Sequence, residues 1–401
     1  MSVVKVLEGS EAVALAVKAC RPHVISAYPI SPQTHIVEGL ARFVADGELD
    51  AEYVRVDSEF SAASVISGAS AAGSRAYTAS SSQGLLLMSE VLYASCGMRL
   101  PFVMTGVNRT VSAPISIQVD HQDTMSLRDC GMIQLFVESS QEAYDTHIAA
   151  FKIAEDPRII LPVMVCMDGW VLTHSYERVT LSEQEDVDRF LPSFRPVDFL
   201  DVKNPKTWGS IGEEDMVMEL RYSVQQALQY AKGRIKEIFK EWAEISGRDY
   251  GGLIESYRTG DATMILVAMG SMAGTIKEAV DALRAEGEKV GLVKIRSYRP
   301  FPYEEIWEAV KGAEILAVVD ANLSLGSEGA VGMDLKAKLY GHPDAPRVVD
   351  VIAGLGGRDV NESRIREIVG RVKEAMNSGY SLREPYWAGL NEAIVPTGGV
   401  K

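Results

Sequence analysis

Val24-Ile25-Ser26-Ala27-Tyr28-Pro29-Ile30-Ser31-Pro32-Gln33-Thr34 is the stretch whose reading decides the fold. Its first four residues form a short apolar run that reads as a buried strand, and the periodic segment 35–44 reads as a helix. Pro29 and Pro32 stiffen the connection, because each fixes φ and restricts the residue before it. The small hydroxyl of Ser31 is displayed between them. A strand end that opens onto a helix is where α/β folds place ligands. The bland alternative is a proline-rich connection that merely ends a strand, and the loop alone favours it.

Outward from this stretch the same alternation continues. Ser10 is placed to cap a helix through Cys20. After segment 35–44 come a strand at 53–56, Ser58 as the cap of a helix rich in small residues, a strand at 75–79, and the serine turn Ser80-Ser81-Ser82-Gln83-Gly84. A helix at 85–94, a strand at 102–107 ending in Asn108-Arg109, and an irregular stretch at 110–129 follow. A strand at 132–137, a helix at 142–154 and a strand at 159–166 complete the series. Such alternation predicts a parallel sheet covered by helices on both faces. Segment 171–212, with Pro192, Pro196 and Pro205, reads as an ordered connector wrapping this first domain. Leu220, Val224, Ala227, Leu228, Ala231, Ile235, Ile238, Phe239, Trp242 and Ile245 recur at helical steps. That long amphipathic helix, ended by Gly247, is expected to bridge domains or meet a partner.

A second βαβ series starts at Thr263, with strands at 264–269, 290–295, 315–319 and 347–352 and helices at 274–285, 303–311 and 361–376. The expected domains are 1–250 and 251–401. Gly354-Leu355-Gly356-Gly357 lacks the spacing of a dinucleotide fingerprint and reads as a tight turn. The tail after Ser378 is expected to be irregular and to lie against another surface.

A chain of 401 residues, 47% hydrophobic, has material for two or three domains with a large core. A formal charge of −15 argues against a nucleic-acid or anionic-membrane surface. The first residues have no signal-peptide layout, and the longest apolar run, 159–167, contains Pro162 and falls far short of the roughly 20 residues of a membrane span. A cytoplasmic protein is expected. Four cysteines stand far apart without a CxxC, so no zinc site or iron–sulfur cluster is expected, and the thiols read as buried. Six histidines include no HExxH and no metal-ligand spacing, so no metal site is expected either.

The polar residues that the pattern brings to the carboxyl edge of the first sheet are Ser31, Glu59 and Arg109. Glu59 alone reads as a helix N-terminal carboxylate favoured by the dipole, and Arg109 alone as a surface ion pair.

Together, several segments resemble one family. They are Tyr28-Pro29-Ile30-Ser31-Pro32, Asp57-Ser58-Glu59-Phe60-Ser61-Ala62, Thr78 through Gly84, and Asn108-Arg109 through Pro114. His121-Gln122-Asp123 with Arg128-Asp129, Tyr298-Arg299-Pro300-Phe301-Pro302 and Gly354 through Val360 extend the match over nearly the whole chain. The chain resembles the α-subunits of the pyruvate:ferredoxin oxidoreductase, or 2-oxoacid:ferredoxin oxidoreductase, family. That resemblance implies a thiamine-diphosphate-binding-like parallel sheet domain that binds the pyrimidine, followed by a transketolase C-terminal-like α/β domain. It implies oxidative decarboxylation of a 2-oxoacid to acyl-CoA and CO2, with electrons passed to ferredoxin. Glu59 matches the glutamate that holds the cofactor's aminopyrimidine, and Arg109 matches the arginine that grips the substrate carboxylate through its planar fork. Ser31 stands where the family loop carries threonine. Tyr28, Pro29, Ser82 and Gln83 fall on cofactor-binding motifs.

The resemblance also marks what is missing. Thiamine diphosphate enzymes hold the diphosphate through Mg2+ with a GDG segment and a downstream asparagine; the nearest candidate here, Gly260-Asp261-Ala262, precedes a strand instead. The cofactor is therefore expected to be shared with a partner subunit that brings Mg2+. The [4Fe-4S] clusters are expected on partners too, and the chain by itself should be inactive. Pyruvate leads as substrate, since a dianionic oxoacid would want a second cation and no Lys or Arg stands between Arg21 and Arg42; Arg128 could serve in the folded site. Another oxoacid, such as oxalate or a branched-chain one, is the close alternative. A non-catalytic scaffold subunit and a nucleotide-binding Rossmann protein are the readings from other classes. Retention of both Glu59 and Arg109 weighs against the scaffold, and the absent glycine fingerprint against the Rossmann protein.

Overall fold

The computed structural model describes residues 3–377 and 384–395. In chain order its first half runs β1 (Val3–Glu8), α1 (Gly9–Ala19), β2 (Val24–Ala27), α2 (Thr34–Ala45), β3 (Glu52–Arg55), α3 (Glu59–Ala71), β4 (Ala76–Ser80), α4 (Ser82–Gly97) and β5 (Val103–Asn108). Then come α5 (Gln122–Met125), β6 (Ile133–Phe136), α6 (Ser140–Ala154), β7 (Val163–Asp168), β8 (Tyr176–Leu181), α7 (Gln184–Phe190) and α8 (Val217–Ser246). The remainder is β9 (Ile254–Tyr257), β10 (Met264–Ala268), α9 (Met272–Ala285), β11 (Val290–Ile295), β12 (Ser297–Arg299), α10 (Tyr303–Val310), β13 (Ile315–Asp320), α11 (Ala330–Leu339), β14 (Arg347–Ile352), α12 (Glu362–Asn377) and β15 (Tyr386–Trp387).

Two compact units divide this chain. The first takes the chain through Glu255, and two later segments, Met269–Ser271 and Lys294–Ile306, return to it. The second takes Ser256–Ala268, Met272–Val293 and the chain from Trp307 onward. A boundary drawn at 250 does not anticipate the returning segments, because a short excursion back to an earlier sheet carries no compositional break.

The first unit is built on a seven-stranded sheet of order β12-β6-β7-β5-β4-β2-β3. All neighbours run parallel except β12, which closes one edge antiparallel to β6. Strands β4, β5, β6 and β7 are buried throughout, which is why they read as largely apolar runs without a polar face. The chain leaves β2 for β3 on one side and returns to β4 on the other. The order thus reverses between β2 and β4, the place where open α/β sheets bind ligands. Ala27, Ser80, Asn108 and Asp168 end their strands along this carboxyl edge.

Helix α8 spends its apolar face inside this unit: Val224, Ala227, Ala231, Ile235, Ile238, Phe239 and Trp242 are buried in the same core as α1 and α6. Most of the stripe is therefore spent within this unit, while Leu220 at its start stays exposed. It ends at Gly247 in the left-handed region, φ 73°, whose N–H reaches the Ala243 carbonyl at 2.8 Å. The connector after β7 is more regular than its prolines suggest, since it holds β8 and α7, and β8 pairs antiparallel with β1. That pairing also displaces the expected cap. Helix α1 starts at Gly9, where a Cβ would sit 2.1 Å from the Leu172 carbonyl oxygen, and the Ser10 hydroxyl donates to the Thr173 carbonyl at 2.9 Å. Ser58 does cap α3, accepting the Ser61 N–H at 3.2 Å.

The second unit carries the sheet β15-β14-β13-β10-β11-β9, whose strands β10, β13, β14 and β15 pair parallel. The glycine cluster after β14 is a tight turn: Gly354, Gly356 and Gly357 all have positive φ, at 77°, 61° and 73°. Part of the C-terminal tail is ordered as β15 on β14; 378–383 and 396–401 lie outside the described residues. All four cysteines are buried free thiols. Among the described residues no helix is long and apolar enough to cross a membrane.

Candidate active site

The turn after β2 is held open across the strand-order reversal by one side chain. Gln33 is fully buried, and its Nε2 donates to the Tyr28 carbonyl at 3.1 Å and to the Ala79 carbonyl at 2.9 Å. Tyr28, Pro29 and Ser31 are thereby left exposed on the loop. The Pro32 ring packs where a Cβ on Gly169 would stand, 2.7 Å away, so the glycine after β7 admits the loop.

Arg109 follows β5 and lies almost buried beneath this loop. Its Nη1 donates to the Ser31 carbonyl at 2.6 Å and its Nη2 to Gln83 Oε1 at 2.8 Å. Its Nε is buried with no hydrogen-bond partner. Burial draws the guanidinium below its ordinary value, while the nearby Asp123 and Glu59 carboxylates oppose that. Three of the residues singled out in the sequence, Ser31, Gln83 and Arg109, are thus joined directly.

Glu59 opens α3, only 7% exposed. Among the described residues no hydrogen bond reaches its carboxylate. Opposite stands Gly84, in the first turn of α4: a Cβ there would lie 2.7 Å from Glu59 Oε1 and 2.4 Å from Ser80 Oγ. Glycine is what lets the carboxylate and the end of β4 share this space. The hydroxyls of Ser80 and Ser81 are buried without partners as well. Buried polar atoms are almost always satisfied, so the two unpartnered hydroxyls beside the Glu59 carboxylate set this edge apart as the candidate site. Ser82 takes a left-handed φ of 50°. It is held there by its N–H to Asp123 Oδ2 at 2.8 Å and its hydroxyl to the Thr110 carbonyl at 2.6 Å, and such backbone strain gathers at functional sites.

Sequence reasoning did not single out Asp123 as a site residue, although it knits these pieces together. Fully buried, it accepts the backbone N–H groups of Ser82, of Arg109 at 3.0 Å and of Thr124 at 2.7 Å, and the Asn108 amide at 3.3 Å. Burial pushes its carboxyl up to about 7 against the pull of those donors. It lies in α5, within the segment read as irregular, and only its place in His121-Gln122-Asp123 signalled it. His121 Nε2 pairs with Asp168 Oδ1 at 2.9 Å, and the Ser271 hydroxyl and N–H both reach Asp168 Oδ2. Burial works against charge on both partners, but the ion pair prevails: His121 is held above its ordinary value and Asp168 below. Gly260-Asp261-Ala262 lies ahead of β10, with Asp261 paired to Arg284 at 2.7 Å.

Residues 15–240 match the family model described as pyruvate flavodoxin/ferredoxin oxidoreductase, thiamine diphosphate-binding, and residues 262–365 match pyruvate:ferredoxin oxidoreductase core domain II. The chain is 50% identical over 383 residues to the pyruvate synthase subunit PorA of Methanosarcina barkeri, covering 95% of each chain. It belongs to the pyruvate flavodoxin/ferredoxin oxidoreductase family. The ketoisovalerate oxidoreductase subunit VorA of Pyrococcus abyssi is 43% identical, over 96% of this chain and 97% of that one. Among solved structures, the 2-oxoglutarate:ferredoxin oxidoreductase of Magnetococcus marinus superposes with a TM-score of 0.69 at 21% identity, over 92% of this chain and 65% of that one. This likeness, with the family-model match, establishes the fold: a parallel-sheet domain of the thiamine-diphosphate-binding type followed by a second α/β domain.

Proposed function

We propose that this chain is the α-subunit of a pyruvate:ferredoxin oxidoreductase. It supplies the pyrimidine-side half of a thiamine diphosphate site and the grip on the 2-oxoacid carboxylate. The observation that carries this reading is the buried Glu59 carboxylate, without a donor and facing Gly84. The donor set fits the cofactor: an unspent carboxylate suits an aminopyrimidine nitrogen, and the unpaired Ser80 and Ser81 hydroxyls lie along the same edge. Bound there, thiamine diphosphate would supply the nucleophilic carbon that attacks a keto group. Glu59 holds the hydrogen bond to the pyrimidine and so the proton balance of its amino group. Tyr28 and Pro29 form the exposed wall of the site. Ser82 and Gln83 act by aligning Arg109, since their side-chain oxygens are already engaged.

Arg109 receives the substrate carboxylate. Its unpaired Nε offers one donor, and exchange of the Gln83 or Ser31 oxygen for a carboxylate oxygen offers the second. Ser31 presents its hydroxyl from the loop above. Mg2+ for the diphosphate and the [4Fe-4S] clusters belong to partner subunits, coenzyme A takes the acyl group, and ferredoxin takes the electrons. A cytoplasmic complex goes with this reading. The 43% identity to a ketoisovalerate oxidoreductase subunit favours a branched-chain oxoacid as the second candidate substrate.

The deciding experiment reconstitutes the complex with its partner subunits and assays ferredoxin reduction across a panel of oxoacids. Pyruvate is expected to give the highest kcat/KM, and the isolated chain none. Glu59→Gln should lower kcat by about 10²- to 10⁴-fold in a complex that still assembles, and Arg109→Ala should act mainly on KM. Full turnover by the Glu59→Gln complex would remove the carboxylate from the mechanism.

A further inference from the structure

Glu8, His35 and His174 are far apart in the chain and belong to three elements of the first unit: the end of β1, the first turn of α2 and the turn after β7. One carboxylate oxygen of Glu8 and one ring nitrogen of each histidine lie within 4.8 Å of one another. Glu8 Oε1 and His35 Nδ1 are 2.8 Å apart, and the two imidazole centroids 4.8 Å. His174 is also oriented from outside the cluster. Thr173 Oγ1 lies 2.7 Å from its Nδ1 while accepting the Trp170 N–H at 2.8 Å, and the Trp170 ring stacks on it with centroids 4.1 Å apart. Outer partners that fix ring orientation are what metal-ligating histidines carry.

We propose that Glu8, His35 and His174 form a binding site for one divalent transition ion of the zinc class, with a fourth position open to water. Two imidazoles and one carboxylate are the donors such ions prefer, whereas Mg2+ and Ca2+ take all-oxygen sets. Bonds of about 2.1 Å would put ligand atoms about 3.4 Å apart, so a separation of 4.8 Å must close by about 1.4 Å while the 2.8 Å Glu8–His35 contact opens. His35, whose side chain is 49% exposed, has the freedom to do this. The ion would tie the start of α2, and with it the Tyr28–Gln33 loop, to the end of β1 and the turn after β7. Zinc capture by these side chains requires nothing of Glu59 or Arg109.

The test uses the tag-free full chain, stripped with chelator and titrated with ZnCl2 by calorimetry, with metal content and melting temperature measured alongside. Uptake of one zinc per chain with a raised Tm is expected. Glu8→Gln, His35→Gln and His174→Gln should each weaken binding about tenfold or more. The Co2+ adduct should show ligand-field bands without a thiolate charge-transfer band. Failure to take up zinc at high micromolar concentration would overturn the site. So would unchanged uptake by the His35→Gln/His174→Gln variant, or a thiolate band pointing to cysteine capture. Should His174→Gln not fold, the half-exposed His35→Gln decides alone.

Discussion

Two carboxylates of the first unit, Asp145 and Glu59, are both withdrawn from solvent and live in opposite surroundings. Asp145, on α6, is saturated. Trp242 Nε1 reaches it at 2.7 Å, Arg248 Nε and Nη2 at 2.7 and 2.6 Å, and the Tyr250 hydroxyl at 2.6 Å, with Gln141 at 3.2 Å. Apart from Gln141, a neighbour on α6 itself, those partners come from the end of α8 and the residues after it, so the cluster bolts the long helix to α6. Among the described residues nothing donates to Glu59, which faces a glycine. Burying a charge is costly unless it is paired; at Asp145 the pairing is internal, and at Glu59 no partner is supplied among the described residues. A buried polar group whose bonds are complete ties elements of the fold together, and the proposed site draws on one whose carboxylate is unbonded.

The comparison breaks most visibly if Asp145 is removed. Asp145→Ala removes the ion-pair partner of Arg248 and the acceptor of the buried Trp242 indole and should cost about 3–5 kcal/mol, read from urea unfolding, with kcat per assembled complex unchanged. A loss below about 1 kcal/mol would mean the cluster does not anchor α8.

Next in size is a contrast in pH dependence. Glu142 is buried, its carboxylate stabilised by Arg296 and Lys294 against the cost of burial, and its value falls from 4.5 to about 2. A depressed carboxyl contributes stability that is present above pH 4.5 and lost as pH falls toward 2, about 3 kcal/mol in all. Asp123 runs the other way. Its value rises from 3.8 to about 7, so its contribution is complete below pH 3.8 and lost as pH rises through 7. Glu142→Gln should flatten the acid limb of the stability–pH curve, and Asp123→Asn the decline toward neutrality; unchanged curves would contradict these assignments.

The smallest effect sharpens the Glu59 side. Gly84→Ala drives a methyl to 2.4 Å from Ser80 Oγ and 2.7 Å from Glu59 Oε1, so the carboxylate must shift. Turnover of the complex should fall about ten- to a hundredfold. Gly233→Ala, where an added Cβ meets nothing within 4 Å, should leave turnover alone and raise stability by about 1 kcal/mol. Equal turnover in the two variants would show that Gly84 does not set the position of Glu59.

Much of the fold was legible because burial writes itself into composition. Strands β4 to β7 are largely apolar runs, Ser58 caps α3, and the α8 stripe repeats at helical steps. What escaped was decided by pairing at a distance. β1 and β8 are separated by most of the first unit, so neither signals the other, and the proline-rich surroundings of β8 and α7 hid both. Their pairing starts α1 at Gly9 and gives Ser10 a carbonyl to bond instead of a cap to form. In the site, Glu59 and Arg109 stood out as charges beside strand ends. Gln33, Asn108 and Asp123 did not, since a polar side chain whose partners are backbone groups, as for Gln33 and Asp123, or distant side chains, as for Asn108, leaves no periodic trace.

The amino-acid sequence alone determined the α/β class, the parallel order of the first sheet's alternation, the family and the identity of the charged residues at the strand ends. Local propensity, apolar periodicity and motif spacing are properties of neighbours in the chain. Tertiary structure alone decided which polar atoms are satisfied. It left Glu59 open, closed Asp145, hung Arg109 between Ser31 and Gln83, and gathered Glu8, His35 and His174, which no spacing rule connects. The reason is that hydrogen-bond saturation and ligand geometry depend on distances between residues that only the folded sheet brings within reach.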